Sequence, residues 1–222
     1  NKVVGQGGVG GVEVGLGGRL DATNVCASML CVITPISYEH TRWLGTSLAD
    51  IAYEKASIIK KENRILPDGK RIALTAGQNK TALRVIEAVA ERNHAFLLKA
   101  GRHFKFSIQD NNLFHCSGSD YEFKNLRINL AGEHQVANAS LAVASCQALR
   151  HYNIAIGQAA VRSGLRYCRW PARFEIISKK PTIILDGAQN GASMQALRKA
   201  IEQRFGHRTL WLIFGIAKDK EL

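Results

Sequence analysis

Residues 29–36 have the sequence MLCVITPI, a mostly apolar run that is rich in β-branched side chains. Such a run predicts a strand that is covered on both faces, as in a parallel sheet between layers of helices. An amphipathic helix is predicted next, at residues 47–60, with Ser47 as its N-cap. Asp50 follows Ser47 at the spacing of a capping box. Together the two segments predict the first β-α unit of an α/β domain.

The rest of the chain continues this alternation of strands and helices. We expect strands at 71–75, 174–177, 181–186 and 209–216, helices at 81–92, 138–152 and 192–204, and a β-rich segment at 95–130 with a hairpin turn at 110–112. The predicted fold class is α/β, with a mostly parallel sheet flanked by helices. We place a domain boundary near Trp170-Pro171, which divides the chain into 1–170 and 171–222.

The composition is that of a globular protein, with 46% hydrophobic and 22% charged residues among 222. No apolar run approaches the roughly 18 residues that span a bilayer, so no membrane partner is expected. The five cysteines are scattered and form no C-x-x-C pair, which favours reduced thiols and a cytoplasmic location. The net charge of +12 raises the question of an anionic partner. Its Lys and Arg residues are spread along the chain without interleaved aromatics, so we expect no nucleic-acid binding.

Glu13 and His40 are candidate metal ligands. Glu13 precedes a glycine-rich segment and ends a short stretch that could form a strand, where glycines let the backbone turn tightly beside a ligand. His40 follows the apolar run by a few residues and is expected at the same edge of the sheet. The alternatives are a solvated glutamate on an edge strand and a structural or exposed histidine.

Lys55 lies on the apolar face of the predicted 47–60 helix. Its neighbours one turn away are Ile51, Ala52, Ile58 and Ile59. One interpretation is a lysine whose amine snorkels to water. The other is an amine whose desolvation favours the neutral, nucleophilic form. Such an amine could take up carbon dioxide and become a carbamate with oxygen donors.

Asp186 and Arg173 are the candidates in the last part of the chain. Asp186 is predicted at the carboxyl end of a buried strand, ahead of a helix N-terminus that favours anions. Arg173 lies just past the proposed boundary, where a guanidinium could reach a phosphate. A plain structural ion pair between the two side chains is the alternative.

Read together, these segments resemble the folylpolyglutamate synthases and dihydrofolate synthases of the Mur ligase superfamily. The motifs that carry the resemblance occur in the family's order: EVGLGGRLDATN at 13–24, ISYEHTRWLG at 36–45, EKASIIK at 54–60, HQVANA at 134–139, PARFE at 171–175 and LDGAQN at 185–190. The resemblance implies a central ATPase domain at 1–170 and the start of a Rossmann-like glutamate-ligase domain at 171–222.

The resemblance also implies a set of ligands and residue roles. Glu13, His40 and a carbamylated Lys55 would hold Mg²⁺, and Lys55 and His40 would be the catalytic residues. Pterin contacts would come from Leu20, Asp21 and Ala22. ATP contacts would come from Asn138, Arg173 and Asp186. The implied substrates are dihydropteroate or folates, L-glutamate and ATP, and a monomer is expected for the full-length enzyme.

The implied reaction has two steps. A substrate carboxylate attacks the γ-phosphate of ATP to give an acyl phosphate, and the glutamate amine then displaces phosphate.

Several positions depart from the family pattern. Glu39 replaces an aspartate, Ala172 a glycine, Gln189 a histidine and Gly191 a proline. The family's P-loop lies upstream of Glu13, so we expect a fragment that lacks it and most of the C-terminal domain, and that is inactive alone. A non-catalytic remnant and another Mur-type amide ligase remain the alternatives.

Overall fold

A computed structural model describes residues 8–69, 71–110, 112–206 and 209–216. Within these ranges the chain forms eight strands, six α-helices and two short 3₁₀ helices. The strands are β1 Leu30–Ile33, β2 Arg71–Thr75, β3 Ala95–Lys99, β4 Phe104–Asp110, β5 Leu113–Gly118, β6 Glu122–Arg127, β7 Glu175–Lys179 and β8 Thr182–Leu185. The α-helices are α1 Thr41–Leu44, α2 Leu48–Ala56, α3 Lys80–Arg92, α4 Glu133–Ala148, α5 Gln158–Tyr167 and α6 Gly191–Phe205, and the 3₁₀ helices are Ala22–Val25 and Leu149–Tyr152.

The first three strands form a parallel sheet in the order β1-β2-β3. Helices α2 and α3 follow β1 and β2 along the chain and cover one face of the sheet. Their buried side chains, among them Ile51 and Ile86, pack with Cys31 and Ile33 of β1. The carboxyl ends of β1 and β2 are tied together by Gln78, whose amide oxygen accepts from the Ile36 N–H and whose amide nitrogen donates to the Thr34 carbonyl.

Helix α4 is the centre of the molecule because it packs between two sheets. Leu141, Ala144 and Ala148 lie against the face of the parallel sheet opposite α2 and α3. Val136 and Val143 lie against the antiparallel sheet β4-β5-β6. Helix α5 packs on the same face of this sheet through Val161. A helix that is buried on two sides needs small or apolar side chains nearly all round, which the alanine-rich sequence supplies.

The predicted α/β fold with a helix-flanked parallel sheet is confirmed, and the hairpin at 110–112 joins β4 to β5, although Asn111 lies outside the described residues. Strand β1 is shorter than predicted, and Val32 is 39% exposed, so the expectation of cover on both faces was wrong there. Among the described strands β1 lies at an edge of its sheet, and α4 covers that face of the sheet mainly over Ile72 and Leu74 of β2. The long helix begins at Glu133 rather than residue 138 and ends in a 3₁₀ turn.

The last part of the chain differs more from the prediction. Strands β7 and β8 form an antiparallel hairpin of their own, and β8 is largely exposed rather than buried. The strand expected at 209–216 does not form, and its apolar side chains are open to solvent, with Trp211 91% and Ile213 99% exposed. Among the described residues no strand pairs with this segment, so its backbone has no ladder to join. The boundary near residue 170 stays a prediction.

None of the helices in the described ranges is long and apolar enough to cross a bilayer.

Candidate active site

A glycine-rich loop, residues 15–24, packs closely against helix α2. Gly17 and Gly18 are buried in this contact. A Cβ on Gly18 would lie 2.8 Å from Ile58 Cγ2 and 2.9 Å from the Glu54 carbonyl oxygen, so glycine is required for this approach. The Arg19 N–H donates to that same carbonyl at 2.9 Å, and its guanidinium pairs with the Glu54 carboxylate at 2.8 Å. The glycines therefore fasten the loop to the helix that carries Lys55.

The Asp21 carboxylate organises this loop from within. One oxygen accepts from the N–H groups of Gly15 and Leu16, and the other accepts from the hydroxyl and N–H of Thr23. Those hydrogen bonds, led by the Thr23 hydroxyl, lower the pKa of Asp21 to about 2. The Asp21 carboxylate thus makes its hydrogen bonds within the loop and stabilises the loop conformation. The neighbouring side chain of Leu20 is 81% exposed. The assignment of Leu20, Asp21 and Ala22 to a pterin pocket stays a prediction.

Lys55 forms an ion pair that the sequence analysis did not anticipate. Helix α2 begins at Ser47 with the predicted capping box, in which the Ser47 hydroxyl and the Asp50 N–H are joined. This cap orients the helix so that the Lys55 Nζ lies 2.6 Å from a Glu39 carboxylate oxygen, with both side chains about two-thirds or more buried. The Lys55 amine therefore has a carboxylate partner, whereas the interpretation as a nucleophilic amine requires apolar surroundings. In the sequence, the residue that could have indicated this ion pair is Glu39, directly before His40.

His40 follows the end of β1 at Ile33 and is the N-terminal cap residue of α1, with a left-handed backbone. Its place at the carboxyl edge of the sheet stays a prediction. Glu13 is exposed, and residues 8–14 form no strand, so the expectation that Glu13 ends a strand was wrong. Among the described residues no strand pairs with this stretch, and its backbone remains irregular.

The side chains as they stand do not form a magnesium site. Within the described ranges, no three His, Cys, Asp or Glu side chains cluster so as to hold a metal ion. Mg²⁺ prefers oxygen ligands, and a lysine ammonium paired with glutamate supplies none. The roles of Glu13, His40 and Lys55 as metal ligands therefore stay predictions.

A second cluster gathers at the N-terminus of α4. Gly132 has φ +103, and a Cβ there would lie 2.8 Å from Nδ1 of His134, so glycine lets the imidazole fold back over the helix start. Desolvation of the ring lowers the pKa of His134, Asp186 raises it and Arg173 lowers it. The charges of Asp186 and Arg173 thus act on a ring that belongs to α4. Asn138 is exposed one turn further along the same helix.

Asp186 is held by the backbone around the β7–β8 hairpin. Its carboxylate accepts from the N–H groups of Phe174 and Ala188, both at 2.8 Å. No ion pair joins it to Arg173 in the described part of the chain, so the alternative of a plain Arg173–Asp186 salt bridge was wrong. Ala172 and Phe174, which flank Arg173, both have positive φ, a backbone that the family's glycine at 172 would adopt without strain.

Helix α6 joins the two parts of this cluster. Its N-cap residue is Asn190, which forms a capping box with Ser193. Lys199 and Gln203 on α6 both contact the Glu133 carboxylate, at 2.6 and 2.7 Å. The sequence analysis missed Glu133 and His134, although His134 opens the HQVANA motif. This geometry brings His134, Arg173 and Asp186 into one region and leaves the Lys55 region as a separate element of the site.

Comparison with known proteins identifies the family. The Mur ligase middle domain matches residues 9–146, and the Mur ligase glutamate ligase domain matches residues 172–222. The chain belongs to the Mur ligase family. Within it, the predicted resemblance to folylpolyglutamate and dihydrofolate synthases is confirmed.

Three similar proteins illustrate the match. The dihydrofolate synthase/folylpolyglutamate synthase of Bacillus subtilis is 35% identical over 94% of this chain and 48% of that protein. A solved FPGS–AMPPCP–folate complex has a TM-score of 0.80 at 28% identity, over 88% of this chain and 47% of that one. The Escherichia coli FolC complex with DHPP and ADP has a TM-score of 0.72 at 32% identity, over 85% and 42%. The chain spans about half the length of the relatives that it matches.

Proposed function

We propose that this chain is part of an ATP-dependent ligase that joins glutamate to dihydropteroate or to folyl(poly)glutamate. The observation that carries the proposal is the glycine-rich loop EVGLGGRLDATN, fastened by Gly18 and Arg19 to the helix of Lys55. Support comes from the similarity to the dihydrofolate synthase/folylpolyglutamate synthase of Bacillus subtilis and to a solved FPGS complex with AMPPCP and folate.

The proposed reaction needs two sites that face each other. On the nucleotide side we assign Asn138, Arg173 and Asp186, supported by the effect of both charged side chains on His134. Arg173 is suited to bind phosphate through its planar fork of donors. Asp186, fixed by two backbone N–H groups, is suited to accept a hydrogen bond from a ribose or base.

On the acceptor side we assign Leu20, Asp21 and Ala22 to the pterin. Leu20 offers an exposed apolar surface, and Asp21 fixes the loop that presents it. A substrate carboxylate then attacks the γ-phosphate, ADP leaves, and the glutamate amine displaces phosphate from the acyl phosphate. Mg²⁺ enters the proposal as the ion that neutralises ATP phosphates.

Lys55 and His40 are the proposed catalytic residues, at the carboxyl edge of the sheet. The Glu39 partner keeps the Lys55 ammonium in a defined position, where its charge is available to the transferring phosphoryl group. We further propose a cytoplasmic location, which the five free cysteines support, and a monomeric full-length enzyme.

The test measures glutamate-dependent phosphate release from ATP in the longest natural protein that carries this chain. Dihydropteroate and folate are the two acceptors. Lys55→Ala is expected to lower kcat by about 10²-fold or more, the loss typical of one electrostatic group at the reacting centre. Lys61→Ala, at an exposed lysine just past the helix, is the matched control. The ligase proposal is contradicted if neither acceptor is extended, and the Lys55 assignment alone if both variants keep wild-type kcat.

A further inference from the structure

A basic cavity shares no lining residue with either part of the candidate active site. It has a volume of about 330 Å³ and is lined by Asn112, Arg127, Asn129, Arg166, Tyr167 and Arg169. This volume is at the lower end of the roughly 300–1,000 Å³ that small-molecule sites occupy. No acidic side chain is among its lining residues.

Three walls of the cavity are held together by backbone hydrogen bonds. The β4–β5 turn is tied to the end of β6 because the Ile128 N–H donates to the Asn112 carbonyl at 3.0 Å. The end of α5 is tied to the same strand end, since Asn129 donates from its N–H to the Leu165 carbonyl and from its side chain to the Cys168 carbonyl. The arginines therefore project from a fixed frame of ordered elements.

The guanidinium groups of Arg127, Arg166 and Arg169 have no ion pair or hydrogen bond with any described residue. Arg162, one turn earlier on α5, provides the contrast, because its guanidinium donates to the carbonyls of Asn125 and Lys124. The structure uses that arginine to join α5 to β6. The three cavity arginines keep their donors available for a ligand.

We propose that this cavity binds a small, multiply charged anion through its arginine side chains. Carboxylate and phosphate groups share the planar pair of oxygens that a guanidinium binds in bidentate fashion, so either could supply the charge. Arg169 directly precedes the segment that leads to Arg173, which places the cavity next to the connection between the two matched domains. A γ-linked glutamate chain is the carboxylate ligand that the proposed function would supply, and this identification rests on that function.

The test is calorimetric titration of the 222-residue chain at low ionic strength. The two probes are γ-linked triglutamate and inorganic tripolyphosphate, and the N-acetylated, fully amidated tripeptide is the uncharged comparison. Single variants Arg127→Gln, Arg166→Gln and Arg169→Gln are expected to weaken binding of the recognised anion by about tenfold each, as for loss of one charge-assisted contact. Arg84→Gln on α3, also an exposed arginine, should leave the affinity unchanged.

The titrations with the two anions distinguish the two possible ligands. Cavity-dependent binding of triglutamate identifies a carboxylate ligand, and cavity-dependent binding of tripolyphosphate alone identifies a phosphate ligand. The proposal is overturned if neither anion binds, or if Arg84→Gln weakens binding as much as the cavity variants do. Side-chain Nε shifts of the three arginines in the unsubstituted chain provide the same answer should a variant fail to fold. Since no turnover is involved, a failure of ligase activity leaves this binding result intact, and the reverse also holds.

Discussion

Asp21 illustrates how one side chain can define a loop without being buried. Its carboxylate accepts four hydrogen bonds from residues 15, 16 and 23, and all of them favour the ionised form. The pKa is lowered from 3.8 to about 2. A group whose folded pKa is depressed stabilises the fold above its unfolded pKa, and this contribution is lost as the pH falls through the folded value.

The Asp21→Asn substitution tests this role. Only one of the two asparagine side-chain atoms accepts hydrogen bonds, so either the N–H groups of Gly15 and Leu16 or the N–H of Thr23 lose their acceptor. We expect faster amide hydrogen exchange across residues 15–24 at neutral pH and no change in β2. In the unsubstituted chain the Thr23 amide shift should titrate with a midpoint near pH 2 instead of 3.8.

Asp120→Asn is the control for this loop experiment, because Asp120 contacts Ser119 and Arg150 at an exposed turn far along the sequence. Unchanged exchange in the 15–24 loop of Asp21→Asn would mean that the glycine contacts with α2 suffice to order it.

At the scale of elements, α4 determines how the two larger sheets meet. One side of the helix packs on the parallel sheet and another on the antiparallel sheet, and nine of its sixteen residues are buried. Alanines along the first side keep the helix close to β2. A close approach of this kind leaves no space for a larger side chain.

Ala144→Leu should therefore lower the free energy of unfolding by about 1–3 kcal/mol, the usual cost of overpacking a core. Urea denaturation followed by circular dichroism measures it. Ala142→Leu makes the same change on the exposed side of the same helix, where an effect of about 0.5 kcal/mol or less is expected. Equal effects at both positions would show that α4 can shift to accommodate the added volume.

At the scale of the whole molecule, the last part of the chain contacts the rest chiefly through α4. Lys199 and Gln203 bind Glu133, and these contacts, Lys199 first, lower the pKa of the Glu133 carboxyl. His134 lies next to this junction and responds to charges from beyond residue 170. The pKa of His134 therefore reports whether the part of the chain beyond residue 170 packs against α4.

The imidazole titration of His134 provides the prediction at this scale. We expect its pKa below the usual 6.5, because desolvation is the largest effect and Arg173 adds to it. Arg173→Gln should raise the pKa and Asp186→Asn should lower it further, as measured from the Cε1–H shift by NMR. Arg84→Gln, at an exposed arginine on α3, is the control. If neither substitution moves the titration, Arg173 and Asp186 do not face the His134 ring in solution.

Some features could be predicted from the sequence because their causes are local. The capping box at Ser47 lies within four residues, and the apolar periodicities of β2 and α3 are complete within their own segments. The same holds for the glycine-rich motif at 13–24, whose residues by themselves indicate the family. The amino-acid sequence by itself therefore determined the α/β class, the family, and the bounds of β2, α3, β8 and α6 to within about a residue.

The remaining features depend on residues that are distant along the chain. The Glu39–Lys55 pair, the action of Asp186 and Arg173 on His134, and the basic cavity between β6 and α5 all join separate elements. The segment 209–216 has the composition of a buried strand but forms none, because a strand requires a neighbour to complete its hydrogen bonds. Only the tertiary structure decided these points. The local sequence limits which conformations a segment can adopt, but the contacts that stabilise one of them come from residues elsewhere in the chain.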